Sequence, residues 1–172
     1  NGWANRVARV GIALAAAWVA APVLASPIVG VIVGSPNNSK DGLGYGAVGY
    51  EYQIAKYETT NVQYVEFLNA VASKEDKYGL YNPGMMTSPY GGITRQISAQ
   101  SYVYGLKAGM ENKPVNFVSF YDALRFANWL NNGKGAGDTE AGAYTLAGTN
   151  PVGVVRNAGA NIFLPTEDEW YK

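Results

Sequence analysis

The chain has 172 residues and a mass of 18.4 kDa, the size of a single domain. Charged residues make up 15%, and thirteen Lys plus Arg balance thirteen Asp plus Glu. That balance excludes a disordered charged tail and leaves no electrostatic footprint for nucleic acid. Cys and His are both absent, which excludes disulfides, thiolate nucleophiles, Ser-His-Asp triads and ordinary zinc sites within this chain.

Arg6 and Arg9 precede an uncharged stretch rich in Ala and Val, and Val23-Leu24-Ala25 places small residues at the two positions a signal peptidase reads. This order predicts a secretory signal peptide over residues 1–25, with the exported domain running over residues 26–172. Pro22 and Pro27 interrupt the apolar run, leaving it short of the roughly 20 residues a spanning helix needs. The expected location is therefore periplasmic, cell-surface or extracellular, with no stable membrane span after cleavage.

Residues 28–33 are rich in Ile and Val and end at Gly34-Ser35-Pro36-Asn37, the pattern of a buried strand and a turn. A Gly-rich loop follows. Residues 50–57 then alternate as a second strand, with Tyr50, Tyr52 and Ile54 on one face and Glu51, Gln53 and Ala55 on the other. Thr60-Asn61-Val62-Gln63 is a capping box that opens a helix to about Ala72, and Tyr64, Phe67, Leu68 and Val71 form its apolar stripe. Residues 73–112 read as a long irregular region with a short strand at Tyr102-Val103-Tyr104. A second helix begins at the Ser119-Phe120-Tyr121-Asp122 cap and ends at Gly133, with Ala123, Phe126, Ala127 and Leu130 facing the core. Strands are expected at residues 143–146 and 161–164. Thr166-Glu167-Asp168-Glu169 is a third capping box. Its helix stops at Lys172 within about a turn, so the chain reads as a fragment truncated at its C-terminus. No internal repeat is present.

Chemistry-bearing groups find structural explanations first. Gly44-Tyr45-Gly46-Ala47-Val48-Gly49 spells a dinucleotide fingerprint, but the pyrophosphate would need a strand before it and a helix after it, and here a strand follows. The spacing of Glu167, Asp168 and Glu169 suits a helix cap and dipole rather than a metal or acid–base site. Glu58 and Thr60 sit where strand meets helix, where a buried Glu would accept backbone N–H groups, and Asp122 has the same cap role. Asp138 and Glu140 lie in a Gly-rich loop whose spacing does not match an EF-hand, so they read as solvated charges. Trp129 and Trp170 read as core residues rather than sugar platforms. Tyr78, Tyr81, Tyr90, Tyr102 and Tyr104 crowd the long loop region, where packing and peptide or glycan contact are equal alternatives.

Four segments carry a resemblance: Tyr57-Glu58-Thr59-Thr60-Asn61-Val62-Gln63-Tyr64, Asn112-Lys113-Pro114-Val115-Asn116, Ser119-Phe120-Tyr121-Asp122-Ala123 continuing to Asn128-Trp129-Leu130, and Leu164-Pro165-Thr166-Glu167-Asp168-Glu169-Trp170. In this order they resemble the formylglycine-generating enzyme (sulfatase-modifying factor) domain family. Phe120 stands where that family commonly has Trp, Phe163 where Arg usually precedes the last motif, and Thr59 where Val is usual. The Gly44 to Tyr52 segment looks like that of an exported bacterial subgroup without a settled activity. The resemblance implies an α+β fold related to C-type lectins, rich in irregular structure and continuing beyond Lys172. It implies oxidation of a sulfatase cysteine to formylglycine by a copper-binding Cys pair, with structural calcium, both sets of ligands lying beyond Lys172. No catalytic, cofactor-binding or metal-binding residue is therefore assigned in this chain. The implied partners are a sulfatase or another exported protein, or a glycan. The second reading is a non-catalytic lectin-like module binding protein or glycan at the cell surface. A non-haem iron sulfoxide synthase, which shares the domain, ranks third because this chain has no His.

Overall fold

The computed structural model describes residues 27–98, 100–146 and 153–172. The segment expected to be a signal peptide lies outside the described residues.

The first strand, β1 (Gly30–Val33), pairs antiparallel with β2 (Tyr52–Ala55) in the register Val31↔Ile54 and Val33↔Tyr52. The alternation expected for β2 holds, with Tyr52 and Ile54 half-buried and Gln53 and Ala55 exposed. The expected burial of β1 does not hold. Among the described residues the ribbon has two strands, so nothing covers its outer side, and Val31 and Ile32 are exposed.

Helix α1 (Asn61–Val71) starts where expected, because the Gln63 side chain returns to accept the Thr60 N–H at 2.9 Å. Tyr64, Phe67 and Leu68 are buried, and Val65 widens the apolar stripe.

The region expected to be irregular contains more structure than its composition suggests. A single turn, α2 (Gly84–Thr87), is followed by a hairpin of β3 (Ile93–Ser98) and β4 (Ser101–Leu106) in the register Ile93↔Leu106 to Ser98↔Ser101. Only its second arm was foreshadowed by Tyr102-Val103-Tyr104. Two glycines precede the hairpin for steric reasons. A Cβ on Gly91 would lie 2.2 Å from the Met85 carbonyl, and one on Gly92 2.3 Å from the Asn61 amide.

Helix α3 (Phe120–Asn131) is capped by Ser119, whose Oγ accepts the Asp122 N–H at 3.2 Å while Asp122 accepts the Ser119 N–H at 3.1 Å. The last helix, α4 (Glu167–Tyr171), follows its own capping box at Thr166. Residues 143–146 form one isolated bridge, Tyr144↔Arg156, and residues 161–164 form no strand. Both expected strands are thus corrected. Their apolar side chains are consumed by packing on α3, and the backbone finds side-chain partners instead: Asn128 spans the Tyr144 N–H at 2.7 Å and its carbonyl at 3.0 Å.

Two apolar clusters result. The larger joins Tyr64, Phe67, Leu68, Phe126 and Trp129 with Tyr81, Met85, Ile93 and Tyr104. Its rings meet edge-on or tilted, with centroids 5.3 Å apart for Phe67–Trp129 and 5.4 Å for Phe67–Phe126, the geometry aromatic quadrupoles favour. The smaller holds Leu124, Ala127, Ala143, Tyr144 and Leu146, with Phe163 and Leu164 against it. The architecture is α+β.

Trp129 is 2% exposed, and its indole N–H donates to the Gly135 carbonyl at 3.0 Å. Trp129→Ala is expected to cost about 3–5 kcal/mol in denaturant unfolding. An unchanged midpoint would contradict the packing described here.

Candidate functional site

The motif segments come together in two knots. In the first, Thr60 bridges to Pro114, the Val115 N–H donates to the Thr59 carbonyl at 2.9 Å, and the Asn61 side-chain amide donates to the carbonyls of Met110 (2.8 Å) and Lys113 (3.0 Å). One buried amide thus ties the start of α1 to the turn before α3. Nothing in the one-letter pattern marks Asn61 for this, since its partners lie 49 and 52 positions away.

The second knot locks α4 against the Gly-rich loop. The side chain of Glu169 is 1% exposed. It accepts from the Thr166 N–H at 2.7 Å, from Arg156 Nη1 at 3.0 Å and from the Tyr50 hydroxyl, while its own carbonyl accepts the Tyr52 hydroxyl. Arg156 Nη2 donates to Tyr50 Oη at 3.1 Å and the guanidinium lies 3.8 Å from the centroid of Phe163. Asp168 accepts the Gly46 N–H at 2.8 Å, and the Tyr171 hydroxyl donates to Asp41 at 2.5 Å. Gly46 has φ +82°, and a Cβ there would lie 3.2 Å from the Tyr171 ring, so glycine is needed for the loop to pass the helix.

Burial alone would push the Glu169 carboxyl up. The Thr166 amide, the Tyr50 hydroxyl and the Arg156 guanidinium outweigh that and hold it below the usual carboxylate range. Asp41 is also held low, chiefly by the Tyr171 hydroxyl and then by the Tyr45 amide. These depressed carboxylates belong to a structural network, which shifts pKa as readily as a catalytic one.

The remaining sequence-selected groups fall apart spatially. Asp138 accepts the Glu140 N–H at 2.9 Å, and Glu140 pairs with the buried Arg125 at 2.7 Å, so they turn to separate tasks rather than to one ion. Glu140 is thus an ion-pair partner and not a solvated charge. Glu58 is exposed, which corrects the expectation of a buried, amide-accepting carboxylate; the α1 cap is closed by Gln63 instead. Trp129 is core, but Trp170 is 73% exposed and corrects the core expectation. With Glu169 turned inward to its partners, its neighbour on the short helix faces outward.

The Tyr cluster is settled mostly in favour of packing. Tyr81 and Tyr104 are buried, and burial pushes the Tyr104 hydroxyl up to about 12. Arg95 lies 4.5 Å from the centroid of Tyr81 and 5.0 Å from that of Tyr102, and Arg125 lies 4.3 Å from that of Tyr78. Tyr90 alone of the five is exposed, at 74%. Tyr50, Asn61, Arg125, Asn128 and Arg156 were not singled out from the sequence, because each acts through partners distant along the chain.

Two open cavities of about 370 and 380 Å³ flank the first knot and α1. The first is lined by Lys74, Glu75, Lys77 and Asp138 among others, the second by Pro27, Val29, Tyr57 and Glu58. Among the described residues no group of three or more His, Cys, Asp or Glu could hold a metal ion. The chain also lacks the thiolate that copper would need. The residues present therefore do not fit the copper implied by the resemblance. Among the described residues no helix is long and apolar enough to cross a membrane.

A mixed α+β domain in which three capping boxes and two polar knots organise long irregular segments is the class defined by this geometry. The model of the sulfatase-modifying factor enzyme 1-like domain matches residues 47–172, and the chain belongs to that family. Neither the curated proteins nor the solved structures gave a match.

The sign of the Glu169 effect follows from its depressed pKa. Its contribution is fully present above the unfolded-state value of about 4.3 and is lost as pH falls through the folded value. Glu169→Gln is expected to lower stability at neutral pH by about 1–3 kcal/mol, with the deficit shrinking as the medium is acidified. Melting curves across that range test this, and a deficit independent of pH would contradict it.

Proposed function

We propose that this protein acts in sulfatase modification, the family activity being oxidation of a sulfatase cysteine to formylglycine. The observation that carries this reading is the family match over residues 47–172, within which the capped helices, the first knot and the partners of Glu169 lie. The described residues provide the frame of the domain and a surface for polypeptide, and they hold no redox centre. Export belongs to the same reading, supported by the basic start, the apolar run and the small residues at Val23 and Ala25. A related C-type-lectin-like architecture follows from the family resemblance.

A second reading, a non-catalytic module binding protein or glycan at the cell surface, is favoured by one observation. Tyr90, Phe120 and Trp170 are 74%, 62% and 73% exposed, and none belongs to either apolar cluster.

The test is to present the chain with a fluorescent peptide spanning a sulfatase active-site cysteine, following binding by polarisation and aldehyde formation by mass spectrometry. The expected outcome is saturable binding without conversion. No binding of the peptide would overturn the sulfatase reading, and capture of immobilised glycans in its place would establish the second.

A further inference from the structure

Among the described non-glycine residues with positive φ, Phe117 is the one aromatic, at φ +66°. A bulky side chain in the left-handed region is a genuine outlier, and such strain persists only where the surroundings enforce it. Here the ring lies over the backbone of α2: a Cβ on Gly84 would come within 2.9 Å of Phe117 Cδ1. Next to it the Asn116 side-chain amide donates to the Tyr90 carbonyl at 2.9 Å, fixing Tyr90 beside the same loop. The turn lies at the rim of the core, with Met85 of α2 buried in the larger cluster and Val115 and Val118 packed against it. Phe117 remains 41% exposed, Met86 49%, Phe120 62% and Tyr90 74%, and none of the four belongs to either apolar cluster. The same strained turn leaves an apolar surface in solvent, and such surfaces mark interaction sites.

The charge distribution identifies the partner. Residues 82–120 carry Arg95, Lys107 and Lys113 against Glu111, a net +2. The rest of residues 27–172 carries eight cations against twelve carboxylates, a net −4. The segment that carries the apolar surface is net basic, while the remainder of the domain taken together is net acidic. Arg95 is taken up by its tyrosine stack. Lys107 Nζ donates to the Ser88 carbonyl at 2.8 Å, two residues before Tyr90, and among the described residues neither Lys107 nor Lys113 has an ion-pair partner. A net +2 is slight for nucleic acid, whose binding is driven by many phosphate contacts. The Asn116 amide, which would have oriented a sugar, is already committed to Tyr90.

We propose that the surface formed by Met86, Tyr90, Phe117 and Phe120 docks an acidic polypeptide segment. Its aromatic or aliphatic anchor seats against the two phenylalanines, and its carboxylates face Lys107 and Lys113. This does not rest on the sulfatase reading and stands or falls separately from it.

The experiment is selection of phage-displayed random peptides on the full chain, with counter-selection on the Tyr90→Ala, Phe120→Ala double variant. Both side chains are exposed, so the variant is expected to melt at the same temperature. The expected outcome is enrichment of Asp- and Glu-rich peptides containing an aromatic or Leu. Their affinity should fall with added salt and weaken by about tenfold or more in a Lys107→Glu, Lys113→Glu variant. If the alanine variant melts early, the lysine variant and the salt series decide alone. Enriched peptides without an acidic excess would overturn the proposal, as would no peptide preferring the unsubstituted chain. Concentration-dependent dimerisation abolished by either variant would overturn it in favour of a second copy of this chain, the remainder of which is net acidic.

Discussion

A carboxylate can be taken out of water only where its lone pairs are met, and Glu169 meets that condition with groups drawn from three separate parts of the chain. Thr166 supplies a backbone amide from the same capping box, Arg156 a guanidinium from the preceding loop, and Tyr50 a hydroxyl from the edge of β2. Removing any one donor leaves a buried charge short of a partner, so the three segments hold each other in place. The residues leading into β2, the loop before α4 and the motif that opens α4 are fixed through this one group, while Asp168 and Tyr171 of the same helix hold the Gly-rich loop. In the same way the Asn61 amide fixes the first two motifs, and Asn128 fixes the loop that follows α3.

These three residues explain why a fold with little regular structure can still be well defined. Backbone groups not used in helices or ladders must find partners elsewhere, and side-chain amides and carboxylates provide them. The motif residues do their work through such bonds.

The helices were legible because their signals are local. Thr60, Ser119 and Thr166 each announce a start three residues before a Gln, Asp or Glu that closes the box, and the apolar stripe of α1 needs no knowledge of its partner. The β1–β2 pair was legible for the same reason, although the burial of β1 was not, since burial depends on what else is present. The β3–β4 hairpin was missed because its first arm alternates Ile93, Arg95 and Ile97, of which Ile97 is 73% exposed and Arg95 is stacked on tyrosines. No simple inside-outside pattern survives there. The strands expected near residues 143 and 161 failed for the opposite reason, because apolar β-prone residues were claimed by α3 packing. Glu58 and Trp170 went astray because another side chain takes the buried polar role, Gln63 closing the α1 cap in one case and Glu169 turning inward on α4 in the other. The two knots themselves were out of reach, since their bonds join residues as far apart as 130 positions.

That separation has a consequence for the order of assembly. The aromatic cluster of α1, the hairpin and α3 lies within residues 64–130 and can form from contacts of moderate span. The β1–β2 ribbon makes no comparable contact, and a two-stranded ribbon alone is marginal in water. Its anchorage waits until residue 169 has left the ribosome and found Tyr50, a ring closure spanning most of the domain. Through most of synthesis, then, the ribbon has no anchor in the rest of the domain, and the interval before closure is when a chaperone would have the most to hold.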